Sequence, residues 1–218
     1  MAVDGSEKAP GLSDLTGIMN ASVPSVGQNH TNHTAVWDVI VFEANSLFTE
    51  RLGSDRARLL AEGKVKSYHL YNGTAISVKD GFIDFILDNN QTGSSGSTLQ
   101  SDSRSAVGRK ISTPMVDIVT LFKTHHIRRQ DYVVVKVDVE GHEYDLVRRM
   151  IVTGLLDRFI DKLAVEWHHN AWMVYGHPGN ATLHPVAFKQ HEAYKRRYES
   201  IMWILENSEM QKKMLHWG

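Results

Sequence analysis

The sequence contains no cysteine, which excludes disulfides, thiolate nucleophiles and zinc sites built on thiolates. It also has no excess of one charge, because 24 Lys and Arg balance 25 Asp and Glu to a formal net charge of -1. A basic surface for nucleic acid or for an anionic membrane is therefore not expected. The partners that this composition favours are small or neutral molecules.

Long apolar runs are missing as well. No stretch approaches the roughly 20 apolar residues that a helix needs to cross a bilayer, and the first residues lack the basic-then-apolar pattern of a signal peptide. We therefore expect a cytoplasmic chain without membrane insertion. A length of 218 residues suits a single domain over 1–218, of which 1–36 form an irregular segment rich in Gly, Ser, Asn and Pro. The sequence indicates no particular oligomeric state.

Strand-like and helix-like patterns alternate along the rest of the chain. The strand-like runs are WDVIVFE (37–43), VKSYHLY (65–71), TAISV (74–78), FIDFIL (82–87), YVVVKVD (132–138) and KLAVEW (162–167). Helical spacing marks residues 45–63, 113–126, 142–152 and 186–206, and the final residues 210–218 fit an edge strand. This alternation predicts an α/β fold with a mostly parallel sheet.

Two helix features are predicted from single residues. Gly53 lies inside the first helical segment, where glycine disfavours helix and is expected to break or kink it. Thr113 followed by Pro114 resembles an N-cap with proline at the first helical position, so the second helix is expected to begin there.

Acids stand where three predicted strands end. Glu43 ends the first, Asp138 ends the YVVVKVD strand with Glu140 two residues later, and Glu166 lies near the end of KLAVEW with His168 two residues after it. Ligands of open α/β sheets bind beyond the carboxyl ends of the strands. If the last two strands are neighbours, their polar side chains converge on one site, because alternate residues share a side. The alternative is that these acids merely cap helices in solvent.

Six segments together resemble the FkbM-type methyltransferases, a family that uses S-adenosyl-L-methionine. They are VIVFEAN (39–45), NGTAISVKDGFIDFI (72–86), GSSGSTL (93–99), MVDIVTLF (115–122), VVVKVDVEGHEYDLV (133–147) and LAVEWH (163–168). The most specific is KVDVEGHE (136–143). The resemblance implies a Rossmann-like class I methyltransferase fold, with helices on both faces of the sheet.

The same resemblance implies roles for individual residues. Glu43, with Ala44 beside it, is similar to the acid that accepts hydrogen bonds from both ribose hydroxyls of the cofactor. Thr74 and Ala75 resemble the segment that lies along the adenine, although plain sheet packing is the alternative. Asp138 is similar to the acid beside the sulfonium and the methionine portion, where a negative charge complements a cation.

Methyl transfer to a hydroxyl also needs a base that accepts the hydroxyl proton. The candidates are Asp138, Glu140, Glu166 and His168. We favour His168, because the ordinary pKa of histidine lies near neutral pH. The aromatic residues nearby, Trp167, Trp172 and Tyr175, are as compatible with packing as with stacking on a ring of the acceptor.

The chain departs from the family pattern at its start. The first strand and its glycine-rich turn should precede VIVFE, but only MAVDGSEKAPG stands there. Asp4 would then be the acid near the amino group of the methionine portion, and Gly5 would let the turn approach the cofactor. The alternative is an irregular terminus without a ligand.

Three readings of function follow. The first is an O-methyltransferase that acts on a hydroxyl of a sugar, glycan or related natural product, so that its partner is a small-molecule or glycan acceptor. The second is a binding or scaffold domain that keeps the fold without catalysis. The third is a metal-dependent enzyme in which Asp138, Glu140, Glu166 and His168 hold Mg²⁺ or Mn²⁺. Nicotinamide-dependent chemistry ranks last, because its glycine fingerprint is missing.

Overall fold

Strands and helices alternate along the chain, as the sequence predicts. In a computed structural model of the protein, the residues described are 36–87, 97–98, 109–139, 142–167 and 185–215. The strands are β1 (Trp37–Glu43), β2 (Val65–Asn72), β3 (Ala75–Ser77), β4 (Gly81–Leu87), β5 (Ser97–Thr98), β6 (Arg109–Asp117), β7 (Val134–Val137), β8 (Lys162–Val165) and β9 (Met214–Leu215). The α-helices are α1 (Thr49–Ala61), α2 (Ile118–Thr124), α3 (Glu143–Val152), α4 (Leu155–Arg158) and α5 (Pro185–Glu206). Short 3-10 helices cover Ser46–Phe48 and Glu209–Lys213.

The described strands form three small sheets. β1 pairs in parallel with β2, and β7, β8 and β9 form a parallel sheet in that order. The third sheet has the order β3-β6-β4-β5, in which β4 runs antiparallel to both β5 and β6. The α/β class and the parallel pairing predicted from the sequence are therefore confirmed. The edge strand predicted within 210–218 is confirmed as β9.

The chain divides into two compact units. The first contains Met1–Ile76 and Gly81–Met115, and the second contains Ser77–Asp80 and Val116–Gly218. The single-domain organisation stays a prediction. Among the helices of the described ranges, none is both long and apolar enough to cross a membrane.

The core of the first unit follows directly from the alternation in β1. Val39 and Val41 point to the same side of the strand and pack against a buried cluster of Leu59, Val65 and Tyr68. Leu59 comes from α1 and the other two come from β2. Helix α1 therefore covers one side of the β1–β2 pair.

The expected break at Gly53 is wrong. Helix α1 runs without interruption from Thr49 to Ala61. Its buried side includes Leu52 and Leu59, which are seven residues apart and so share one face. Packing of this face outweighs the roughly 1 kcal/mol by which glycine disfavours a helix relative to alanine.

The start predicted for the second helix is also wrong. Thr113 and Pro114 belong to β6, which pairs with β4 as far as Met115, and the helix begins at Ile118. Asp117 is the N-cap, since its Oδ1 accepts a hydrogen bond from the backbone N–H of Val119 at 3.0 Å. A threonine–proline pair suits an N-cap locally, but the cross-strand pairing decides the conformation.

Asp117 also anchors the second unit. Its carboxylate receives two hydrogen bonds from the Arg149 guanidinium of α3, at 2.6 Å and 3.3 Å. Its own backbone N–H donates to Asp80 Oδ1 at 2.8 Å, while the Thr120 hydroxyl donates to Asp80 Oδ2 at 2.8 Å. Both hydrogen bonds lower the pKa of the Asp80 carboxyl, and the bond from Asp117 has the larger effect. The carboxylates thus tie the start of α2 to α3 and to the loop at residue 80.

A continuous apolar core fills the rest of the second unit. Its most buried side chains are Tyr144, Leu146, Val147, Met150, Leu156, Ile160, Leu163, Ala164 and Leu205. The end of the described chain closes this unit. Lys213 donates to the carbonyl oxygens of Leu156 and Asp157 at 2.9 Å and 2.6 Å, next to the point where β9 joins β8.

Replacing Gly53 by alanine is expected to raise the free energy of unfolding by about 1 kcal/mol, since a Cβ there meets nothing within 4 Å and the backbone is helical. Gly73→Ala is the matched control. A Cβ also meets nothing within 4 Å there, but φ is +61°, so this variant should lose stability. Urea unfolding of both variants tests the pair. A loss of stability in Gly53→Ala would show that the helix needs glycine.

Candidate active site

The first strand-end cluster is built around Glu43. This half-buried residue ends β1 and lies opposite Asn72, the last residue of β2. Its Oε1 accepts a hydrogen bond from the backbone N–H of Asn45 at 2.6 Å, and its carbonyl oxygen accepts one from Thr74 N–H at 3.1 Å. The chain thus folds back on Glu43 from both sides, which fixes the carboxylate at the carboxyl end of a parallel strand pair.

Neutral polar side chains lie in the segments next to Glu43. Asn45 is 4% exposed, and its side chain caps the 3-10 helix by accepting a hydrogen bond from Leu47 N–H at 3.0 Å. The Thr49 hydroxyl lies 2.7 Å from the side-chain oxygen of Asn72. The cluster therefore links β1, β2 and the start of α1 through hydrogen bonds, with Glu43 as its charged member.

Ala44, Thr74 and Ala75 lie beside Glu43. Ala75 is buried with Met115 in a small apolar cluster against which Ala44 packs. The half-buried Thr74 follows the turn at Gly73, whose φ of +61° is in the left-handed region that glycine favours. All four residues that the family resemblance assigns to the ribose and adenine portions are therefore in the first unit and near one another in the chain fold.

The second strand-end cluster lies in the second unit, after β7 and β8. The last register pair is Val137 opposite Val165, so Asp138 and Glu166 follow at the same edge of the sheet. The backbone N–H of Glu166 donates to the Val137 carbonyl oxygen at 2.9 Å. These two strands are therefore neighbours, which is the condition for convergence, and each is followed directly by its acid.

Asp138 is engaged in an ion pair. Lys136 Nζ donates to Asp138 Oδ2 at 3.0 Å, and their side chains are 10% and 29% exposed. The two residues are two positions apart and so lie on the same side of the strand. Sequence reasoning missed Lys136, although a lysine inside the otherwise apolar run of Val133 to Val137 is itself a signal for a buried charge that needs a partner.

A buried acid at the start of α3 binds the backbone of Val139, which follows β7. Glu143 is 0% exposed, and its Oε1 accepts a hydrogen bond from Val139 N–H at 3.0 Å. The next described residue, His142, donates its own N–H to the Val139 carbonyl oxygen at 3.2 Å. The last acid of KVDVEGHE therefore shapes the backbone rather than facing a ligand.

His142 is a second residue that sequence reasoning missed. Its side chain is 14% exposed, with Nε2 3.2 Å from Ser77 Oγ and Nδ1 3.6 Å from Asp145 Oδ2. Burial lowers its pKa, while the charges of Asp145 and Glu143 act in the opposite direction. The motif itself contains this histidine, but its spacing gives no indication of a partner 65 residues earlier in the chain.

Trp167 packs inside the protein. Its ring lies 5.3 Å from that of Tyr144 and 5.4 Å from that of Tyr198, between centroids. This contact holds the end of β8 against α3 and α5. Trp172 and Tyr175 lie outside the described residues.

Four of the predicted site residues also lie outside the described residues, namely Asp4, Gly5, Glu140 and His168. Among the residues that are described, no group of three or more His, Asp or Glu side chains could hold a metal ion. Of the four proposed metal ligands, only Asp138 and Glu166 lie in the described part of the chain. The described residues give no support for a metal site there.

In this α/β protein, acids lie at the carboxyl ends of parallel strands, which is where open α/β sheets bind their ligands. The family model for the methyltransferase FkbM domain matches residues 25–198, well over half of the 218 residues. The chain belongs to this methyltransferase family, which confirms the resemblance carried by KVDVEGHE and the other segments. No curated protein and no solved structure matches the chain.

The buried ring of His142 predicts an acid-sensitive contribution to stability. Its pKa is lowered in the folded protein, so the unfolded chain binds the proton more tightly. Neutral His142 therefore makes its full contribution to the free energy of unfolding above the ordinary histidine pKa of about 6.5. This contribution declines as the pH falls below that value. His142→Gln should show a smaller loss of stability than the wild type between pH 7.5 and 5.5, as measured by urea unfolding. Equal losses in the two proteins would exclude His142 as a cause.

Proposed function

We propose that this protein is an S-adenosyl-L-methionine-dependent O-methyltransferase that acts on a hydroxyl of a sugar, glycan or related natural product. Membership of the FkbM methyltransferase family supports methyl transfer. The observation that carries the cofactor assignment is the Glu43 carboxylate, which is fixed by Asn45 N–H at the carboxyl end of β1. The proposal includes a single class I, Rossmann-like methyltransferase domain.

The chemistry of the Glu43 cluster fits the ribose of the cofactor. A carboxylate has two oxygens, and these match the two neighbouring hydroxyls of a ribose as hydrogen-bond acceptors. Asn72 lies opposite Glu43 in the strand pair, and Thr74 N–H binds the Glu43 carbonyl oxygen. The side chains of both residues are neutral and can both donate and accept hydrogen bonds. Ala44 and Ala75 add apolar surface beside them, which suits the adenine portion.

Groups that suit methyl transfer are found among the residues of the second unit. When bound, the cofactor provides a methyl carbon activated by a positively charged sulfur. Asp138 places a negative charge at the end of β7 for that sulfur, and the ion pair with Lys136 fixes the position of the carboxylate. Much of the rate enhancement in such a displacement comes from holding the reacting groups in line.

A base must take the proton of the acceptor hydroxyl as the oxygen–carbon bond forms. Glu166 follows β8 at the same sheet edge as Asp138, and His168 comes two residues after it. We assign His168 as the base, with Glu166, Asp138 and Glu140 as the other candidates. Mg²⁺ or Mn²⁺ would suit the oxygen ligands of these candidates, and titration of activity with a chelator tests whether either ion contributes.

Glu43→Ala is expected to weaken binding of S-adenosylhomocysteine by on the order of 100-fold, since two hydrogen bonds to a charged group at about 1.5 kcal/mol each are lost. Isothermal titration calorimetry of the purified chain measures this change. Glu43→Gln keeps the shape and one acceptor oxygen but removes the charge, so its affinity should lie between those of Glu43→Ala and the wild type.

Asp38→Ala is the matched control. Asp38 is a carboxylate on the same strand, but it lies at the other end, where it accepts a hydrogen bond from Ser67. This variant should bind as the wild type does. Unchanged affinity in Glu43→Ala would refute the ribose assignment. A folded wild type that binds no S-adenosylhomocysteine would favour the scaffold reading.

A further inference from the structure

Lys136 and Asp138 form an ion pair where β7 ends. Lys136 lies between Val135 and Val137, and its ammonium is within 3.0 Å of Asp138 Oδ2. The lysine side chain is only 10% exposed. A lysine removed from water to this extent needs a paired and hydrogen-bonded carboxylate, since an isolated buried charge is costly. The Asp138 carboxylate is therefore paired with a positive charge.

This charge balance matters because methyl transfer removes a positive charge. The bond between the methyl carbon and sulfur breaks, and its electron pair stays on sulfur. The acceptor oxygen bonds to the carbon, and the hydroxyl proton passes to a base. The cofactor thus changes from a sulfonium cation to a neutral thioether. An uncompensated carboxylate beside the sulfur would bind the cation more tightly than the neutral product, and it would lose part of that interaction in the transition state.

We propose that Lys136 sets the preference of the site between the charged cofactor, S-adenosylmethionine, and its neutral product, S-adenosylhomocysteine. The inference rests on the proposed function and on the place of Asp138 beside the sulfur. Lys136 acts through Asp138 and is a positioning residue. By offsetting the carboxylate, it weakens the bias toward the cation.

Four proteins with defined charges at this strand end test the proposal. The wild type has both charges of the pair, Lys136→Met keeps only the Asp138 carboxylate, Asp138→Asn keeps only the Lys136 ammonium, and the double variant has neither of these two charges. The measured quantity is the ratio of the dissociation constants for S-adenosylhomocysteine and S-adenosylmethionine, from calorimetry on the full chain. Lys136→Met should raise this ratio about tenfold, Asp138→Asn should lower it about tenfold, and the double variant should return it to near the wild-type value.

Two further variants separate charge from structure. Lys136→Arg keeps a cation and should keep the wild-type ratio. Lys162→Met removes a lysine from the opposite end of the neighbouring strand, where it donates to the Lys212 carbonyl oxygen, and should also leave the ratio unchanged. If the role of Lys136 were purely structural, Lys136→Met would weaken the binding of both ligands equally, and the ratio of the two dissociation constants would not change.

The results can distinguish failure of this inference from failure of the proposed function. If the wild type binds neither ligand, the proposed function fails and this inference fails with it. If the wild type binds both but the ratio moves less than about twofold in Lys136→Met, the inference alone is wrong. If Lys136→Met does not fold, Asp138→Asn decides, because an unchanged ratio there also overturns the role of this pair.

Discussion

The second unit depends on a carboxylate that has no contact with water. Glu143 is 0% exposed and accepts a hydrogen bond from Val139 N–H at 3.0 Å. Burying a carboxylate costs several kcal/mol unless donors replace its hydration, so the backbone after β7 must return to this side chain. That requirement holds Val139 close to the start of α3. His142 precedes α3 there, and its ring lies 3.2 Å from the hydroxyl of Ser77, the last residue of β3.

The parts of the fold that are governed by short-range periodicity could be predicted from the sequence. Alternation in β1 gives the face that carries Val39 and Val41, and the spacing of Leu52 and Leu59 gives the helix that covers it. The two errors have one cause. Gly53 and Thr113 carry strong local preferences, but packing along α1 and pairing of β6 with β4 outweigh them. These long-range contacts leave no local pattern in the sequence.

For the candidate site, the positions of the acids could be predicted from the sequence, but most of their contacts could not. The rule that ligands bind beyond the carboxyl ends of parallel strands identifies Glu43, Asp138 and Glu166, and the structure places each at such an end. The partners of these acids could not be derived. Lys136 was readable in principle as a charge inside an apolar strand, whereas the contact between His142 and Ser77 joins positions that only the tertiary fold brings together.

The last described strand imposes an order on assembly. β9 joins β8 through Leu163 and Met214, and Lys213 binds the Leu156 carbonyl oxygen across 57 positions of sequence. Closing so long a loop costs entropy that the shorter β7–β8 connection does not require, so we expect β9 to pair after β7 and β8 have paired. During synthesis, β8 therefore remains an open strand edge until residues 213–215 have been made. A chaperone or a second nascent chain can add a strand there in the meantime.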